Sequence, residues 1–390
     1  MPGIGIIGSG AIASVHVDSY KRYAEGCEAK QGCEVKAVCD TFKSKAEDLI
    51  AGKSLNALAY DDYRKLLEDP AVDAVSICLP PSTHASVTID ALKAGKHVLV
   101  EKPMASSLEE CDRMIETARA NGKVLAVVSQ NRYKTPVAKL KTMLDEGDIG
   151  KVVYASFDSL WWRGQVYYDL WWRGTWAQES GGSFMSHAVH YLDLMHMIFG
   201  MPAKVSATIT NVDHENSECE DLGFAIFDYG DKIVHFTSSL VSHGERQSIT
   251  VEGEKGSIGV PWTVSACRPL PNGFPEEDVA VKAALERRYK EIPDLPAEGH
   301  DAQIANFIKA IEGKEPAAVD GQEGRRTMEL IVAIYKSSTT GHPVTLPLAP
   351  DDAFYRKETM IASMPKFHEK LKNVDNFSES KITLGRDLGR

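Results

Sequence analysis

Ile4-Gly5-Ile6-Ile7-Gly8-Ser9-Gly10-Ala11-Ile12-Ala13 sets a short apolar run, a glycine-rich turn and the start of a helical pattern in immediate succession. A strand feeding a helix through small residues brings backbone N–H groups and a helix N-terminus to one point, where a pyrophosphate is held. Gly8 permits the tight turn, Gly10 lets the backbone approach the phosphates, and Ala13 stands where a third glycine is usual. The G-x-G-x-x-A pattern is weak alone. Its place between an apolar run and a helix is what the mechanism requires, so Gly8, Ser9, Gly10, Ala11 and Ile12 are expected to contact a dinucleotide.

Working outward, apolar runs at residues 4–7, 35–39, 74–79, 97–100 and 124–128 alternate with helical stretches. Alternation of this kind predicts a parallel sheet and a doubly wound α/β (Rossmann) unit over residues 1–128. Ser107 and Glu110 read as a capping box opening one of its helices. Asp40 ends the second run and is expected to hold the adenosine ribose hydroxyls. It lies farther from Gly8 than usual because residues 20–33 read as a helix extension and loop. A 2′-phosphate about 4 Å from that carboxylate would be repelled by about 4 kcal/mol at an effective dielectric of about 20, so NAD is favoured over NADP, with Lys43 and Lys45 able to soften the repulsion. Leu79-Pro80-Pro81 closes the fourth run with two residues lacking an N–H. It lines the cofactor path or is a plain stiffened turn, and His84 is a residue near the cofactor or a surface histidine.

After Ser129 the texture changes. Strand-like segments at 152–157, 205–210, 223–228, 233–238 and 248–253, some joined by turns such as Tyr229-Gly230-Asp231, predict an α+β domain over 129–346 with a largely antiparallel, open sheet. Helices at about 182–199, 300–312 and 324–339 are expected to pack on it. The sheet's open face is expected to bind a partner subunit, giving a homodimer or higher homo-oligomer. Residues 347–390 read as a tail or arm.

The chain has 390 residues, 43% of them hydrophobic, which is ample for two domains. A net charge of −11 without a basic cluster argues against nucleic acid and anionic membranes. No apolar stretch is long enough to span a bilayer, and no basic leader with a cleavage site is evident, which points to the cytoplasm. Seven cysteines without a C-x-x-C read as reduced packing residues.

Glu101-Lys102-Pro103 follows the apolar run His97-Val98-Leu99-Val100. Pro103 stops the strand ladder, so Lys102 sits at the sheet's carboxyl end, where the nicotinamide of the same cofactor would lie. The plain alternative is a solvated strand-end lysine. Glu101 and Gln130 complete the expected cofactor set.

Together, the glycine loop, Leu79-Pro80-Pro81-x-x-His84, the run Ala91 to Val98 leading into Glu101-Lys102-Pro103, and Gly181-Gly182 followed by His190 and Asp193 resemble the glucose–fructose oxidoreductase, inositol dehydrogenase and MocA family. The likeness covers about residues 3–347. It implies NAD-dependent oxidation of a secondary alcohol of a sugar, cyclitol or glycoside, with Lys102 and His190 catalytic. The family's usual aspartate four residues before the histidine is here Ser186. A serine is no base near neutral pH, so His190 becomes the favoured base, with Ser186 and His187 orienting substrate or relaying a proton.

Trp-Trp-Arg-Gly occurs twice, at 161–164 and 171–174, and the segment resembles the branch that oxidises pyranosides, C-glucosides among them, at C3. Arg163, Trp172, Arg173 and Trp176 are expected to bind substrate by stacking on sugar C–H faces and gripping hydroxyls. A subunit interface would show the same enrichment. His187, His190, Asp193 and His196 recur every three residues, yet three ligands on one helix drift around its axis, and no metal is expected. The expected activity is oxidation of a sugar or glycoside to a keto-sugar. An inositol or UDP-sugar dehydrogenase, or a non-catalytic sensor, are the alternatives.

Overall fold

A computed structural model of the protein describes residues 1–27, 32–375 and 377. Strands β1 (Gly3–Ile7), β2 (Glu34–Cys39), β3 (Leu58–Tyr60), β4 (Ala74–Ile77), β5 (His97–Val100) and β6 (Leu125–Val127) form one parallel sheet in the order β3-β2-β1-β4-β5-β6. Strands β1, β4 and β6 are buried on both faces because helices cover both. Ile4, Ile6, Val38, Val75 and Val98 are completely buried. The connecting helices are α1 (Ala11–Glu25), α2 (Lys43–Gly52), α3 (Tyr63–Glu68), α4 (His84–Lys93) and α5 (Leu108–Ala120). The strand order reverses between β1 and β4, and the crevice at their carboxyl ends is where such sheets bind ligands. Ser107 caps α5 by accepting from Glu110 N, while the Glu110 carboxylate reaches Ser106 N, one residue before the position a capping box uses.

Helix α6 (Thr135–Asp145) leads to β7 (Val152–Trp162). A π-helical turn at Phe184–Ala188 runs into α7 (Val189–Phe199), so the helix predicted over 182–199 is divided there. Next come β8 (Lys204–Thr210), β9 (Leu222–Asp228), β10 (Ile233–Ser239), β11 (Val241–Gly253), β12 (Ser257–Val260), β13 (Thr263–Ser265) and the small hairpin β14 (Cys267–Pro269) and β15 (Pro275–Glu277). Helices α8 (Val279–Glu291), α9 (Gly299–Ile311) and α10 (Gly321–Thr340), strand β16 (Val344–Thr345) and helix α11 (Lys357–Ser363) complete the described elements. The eight-stranded sheet has the order β13-β12-β11-β7-β10-β9-β8-β16, mixed only through the parallel β7–β10 pair. Helices α7 and α10 pack on its inner face.

One expectation needs correction. Helix α9 does not pack on the second sheet. Its Ile304, Phe307 and Ile308 join Ile4, Ile6 and Val17 in the core of the first domain, beside α1. An apolar stripe shows that a helix has a buried face, not which domain buries it. The stretch after residue 347, as far as it is described, is an arm with buried Leu348, Phe354, Tyr355, Met360 and Met364. It ends on the aromatic loop, where Trp171 N donates to Val374 O and Val374 N to Asp169 O. Residues 376 and 378–390 of the predicted tail, and 28–31 of the predicted extension, lie outside the described residues.

Candidate active site

The crevice begins at the glycine turn. Gly8 has φ +96°, and a Cβ there would lie 2.3 Å from Cys78 O, so only glycine closes this turn. A Cβ on Gly10 would meet nothing within 4 Å, which leaves open space at the N-terminus of α1. Asp40 Oδ2 accepts from Ser9 N (3.1 Å) and Ser9 Oγ (2.7 Å), and Oδ1 accepts from Phe42 N (3.0 Å), so one carboxylate ties the end of β2 to the turn. Gln130, in a short 3₁₀ turn after β6, buries an Oε1 that has no hydrogen-bond partner among the described residues. A glycine cradle, open space at a helix N-terminus and an orphaned acceptor fit a dinucleotide.

His84 departs from expectation. It is fully buried, with Nδ1 2.7 Å from Pro103 O and Nε2 2.8 Å from Leu79 O. Both nitrogens are engaged in bracing the Leu79-Pro80 turn against the Lys102-Pro103 turn, and neither is left for a cofactor.

Glu101, nearly buried at the end of β5, contacts His16 Nε2 through Oε1 (2.9 Å) and accepts from Lys102 N through Oε2 (3.2 Å). Burial alone would raise its carboxyl, but the His16 contact, with help from Lys102, holds it down at about 2. Lys102 Nζ donates to Ser186 O (3.1 Å). Desolvation lowers the lysine from its ordinary value, and Arg173 and Arg163 add to the effect against the opposing pull of Glu101 and Glu179.

Two backbone features bring α7 to Lys102. The π turn, a device common at functional sites, carries Ser186 and His187, and buried Glu220 anchors its start by accepting from Gly182 N and Phe184 N, both at 3.0 Å. Ser186 Oγ donates to Gly182 O (2.7 Å), so the same hydroxyl accepts from His187 Nδ1 (2.8 Å). That assigns His187 the Nδ1–H tautomer and leaves Nε2 as an acceptor. His190, half-buried, has no hydrogen-bond partner among the described residues, and desolvation with the Lys102 charge lowers it to about 3. It is a neutral imidazole at physiological pH.

Asp193 lies one turn farther along α7 and belongs to the scaffold. Arg132 grips it in bidentate fashion (2.7 and 2.8 Å) and also meets Glu323 of α10 (2.9 Å). His196 is engaged by Thr327 Oγ1 (2.9 Å). Asp193 and His196 of the three-residue repeat along α7 are therefore committed to packing partners.

The loop after β7 supplies a wall. Arg173 lies between the rings of Tyr167 (4.0 Å) and Trp172 (4.1 Å) and pairs with buried Glu179 (2.9 Å). Arg163 sits over Trp161 (5.3 Å) and pairs with Glu245 (2.6 Å). Trp161 and Tyr167 in turn flank His187, at 5.3 and 6.0 Å between ring centroids. Arg163, Trp172, Arg173, Ser186 and His187 are thus brought together with Lys102 and His190. Trp176 is not. It is fully buried, edge-on to Tyr335, with Nε1 donating to Pro365 O (2.9 Å), and so fastens the loop to the core and the C-terminal arm. Sequence reasoning missed Glu179 and Glu220, which only tertiary packing reveals, and placed Trp161 and Tyr167 only within the tryptophan-rich loop as a whole.

A Rossmann crevice meeting a lysine and a neutral histidine defines a dinucleotide-dependent oxidoreductase. Residues 3–129 match the oxidoreductase family's NAD-binding Rossmann fold, and residues 141–346 its C-terminal alpha/beta domain, the Gfo/Idh/MocA pair. The chain belongs to this family, is an NAD-dependent dehydrogenase, and uses NAD as its cofactor. It is 27% identical to the myo-inositol 2-dehydrogenase of Thermotoga maritima over 86% of this chain and 95% of that protein. It is also 27% identical to the D-glucoside 3-dehydrogenase of Escherichia coli over 88% of this chain and 97% of that one. Among solved structures, the WlbA dehydrogenase from Bordetella pertussis in complex with NADH and UDP-GlcNAcA superposes with a TM-score of 0.74 at 26% identity, covering 89% of this chain and 99% of the other. No helix among the described residues is long and apolar enough to cross a membrane.

Proposed function

We propose that the enzyme oxidises a secondary hydroxyl of a sugar or glycoside, at C3 of a pyranoside, to the keto-sugar. One observation carries this reading: the Lys102 amine and the neutral rings of His190 and His187 converge beneath an aromatic and guanidinium wall made of Trp161, Tyr167, Trp172, Arg163 and Arg173. Bound NAD supplies the hydride acceptor. Gly8 to Ile12, Asp40 and Gln130 would hold it, with the Leu79-Pro80 backbone and Glu101 lining the same crevice.

As the carbinol hydrogen leaves as hydride, the hydroxyl proton passes to the neutral amine of Lys102, which burial lowers and Ser186 O steers, rather than to His190 as the sequence favoured. His190, lowered too far to take a proton, carries no competing hydrogen bond and orients the reacting hydroxyl as a neutral imidazole. His187 Nε2 accepts from a neighbouring hydroxyl, the task left open where the family's aspartate is replaced by Ser186. Aromatic faces suit the C–H surface of a pyranose. Both arginines already face carboxylates, which disfavours a diphosphate and supports a neutral glycoside over a nucleotide sugar. The name of the E. coli relative agrees with C3. Seven free thiols, five of them buried, fit the reducing cytoplasm.

The test is an NADH-absorbance screen across free sugars, inositols, O- and C-glycosides and UDP-sugars, with the product identified to catch cofactor retained through turnover. A 3-keto-glycoside is expected. Faster turnover of an inositol or a UDP-sugar would overturn the substrate assignment, and binding without turnover of any of them would make the protein a sensor.

A further inference from the structure

Three ligand-type side chains from separate elements meet beneath the cofactor crevice. His16 comes from α1, Glu101 from the end of β5 and His300 from the first turn of α9, and their ligand atoms all lie within 4.8 Å of one another. His16 is completely buried and Glu101 nearly so. We propose that His16, Glu101 and His300 form a binding site for one divalent transition-metal ion, of the zinc, cobalt or manganese class, that clips α9 to the first domain.

The second shell supports it. Metal-binding histidines have the far ring nitrogen fixed by a hydrogen bond, which aims the near one. Ser76 Oγ lies 3.2 Å from His16 Nδ1 and 2.8 Å from Tyr20 OH, so the ring is held with Nε2 toward Glu101. The His16–Glu101 contact explains two members of the group but not the third. His300 has no hydrogen bond of its own among the described residues, yet its ring is brought beside a buried carboxylate, 5.7 Å from the His16 ring. Its neighbour Asp301 is already committed to Ser19 and Arg22, so the local negative charge facing His300 is that of Glu101.

Two imidazoles and one carboxylate are a set that zinc and its neighbours accept, with a position left for water. Bonds of about 2.1 Å in tetrahedral geometry place ligand atoms roughly 3.4 Å apart. His16 and Glu101 already meet at 2.9 Å. His300, the least buried of the three, closes the remaining gap by a swing of roughly 1 Å or so. On uptake, three ligand-to-metal bonds replace three bonds of the hydrated ion to water, and neutral His16 carries its single ring proton on Nδ1, toward Ser76 Oγ, with no change of oxidation state.

The experiment uses the full chain with NAD present, dialysed against a chelator and titrated with Co²⁺ alone, then with Zn²⁺ under native mass spectrometry. One ion per chain is expected, with visible cobalt bands, and the affinity should fall by about a hundredfold in His300→Ala. His300 is at the edge of the cluster, so this variant is expected to keep its fold, checked by circular dichroism and NAD binding. His300→Gln provides a second variant of similar size should the alanine chain be unstable. Absence of cobalt bands at millimolar metal, or an affinity unchanged in either variant, would overturn the site. Because the readout is metal binding, failure here leaves the substrate assignment untouched, and the reverse also holds.

Discussion

Lys102 and His190 divide the proton chemistry by their environments. His190, lowered to about 3, stays neutral throughout the range in which the protein is handled. Lys102 is lowered by burial but remains a lysine, so its amine loses its proton as pH rises through a value below the ordinary 10.5. The expected profile of kcat/KM for oxidation therefore rises with pH in a single limb belonging to Lys102, with no inflection near 6.5. Lys102→Ala should remove that limb and reduce kcat by about 10²- to 10⁴-fold while NAD affinity by fluorescence titration stays within about threefold. A limb between pH 6 and 7 that vanishes in His190→Ala would overturn the division. Both residues were legible as sequence because each ends or lines an element with a local signature. His16, Glu179 and Glu220 were not, because a buried hydrogen-bond partner is defined by how elements pack within a domain and leaves no spacing to read.

At the scale of elements, the π turn and α7 carry the site, and their anchor is Glu220. Besides the two backbone N–H groups, its Oε1 accepts from Tyr335 OH of α10 (3.0 Å), and its own carbonyl accepts from Ser183 N (3.1 Å). Gly182 has no room for a side chain, since a Cβ would lie 1.8 Å from Glu220 O. Glu220→Ala leaves two buried N–H groups unpaired, at about 1–3 kcal/mol each. The expected outcome is a stability loss of about 2–5 kcal/mol in urea unfolding, with kcat reduced and NAD affinity kept, because the glycine turn lies elsewhere. An unchanged kcat in a folded variant would show that the turn holds its shape without the carboxylate. The helix predicted over 182–199 was correct in extent but not in winding. A single π turn does not alter the apolar spacing enough for sequence to reveal it, and the structure shows it where Ser186 O accepts from Lys102 Nζ.

At the scale of the molecule, five strands of the first sheet were legible because β1, β4 and β6 are buried on both faces and every connection is a helix, whereas the short edge strand β3, with Leu58 exposed, gave no apolar run to read. The assignment of α9 to that domain was not, since it depends on which apolar surface the returning chain meets. The second sheet has one face covered by α7 and α10, and on the other Phe224, Ile226, Ile233 and Tyr154 are 40–49% exposed. Ile233 and Tyr154 are direct partners across β10 and β7, and Phe224 and Ile226 follow on neighbouring β9. Scattered apolar residues on a surface are ordinary, but a contiguous set on a flat sheet marks an interaction face. An isologous pairing of two such faces, at about 800 Å² per subunit, would bury it. Phe224→Glu with Ile226→Glu places like charges opposite one another across that two-fold contact. Light scattering should find the wild-type chain as a dimer or a multiple of it and the double variant at the mass of one chain, with NAD affinity retained, because the substituted face points away from the glycine turn. A wild-type mass of one chain, or a double variant that assembles as before, would assign the patch to another role.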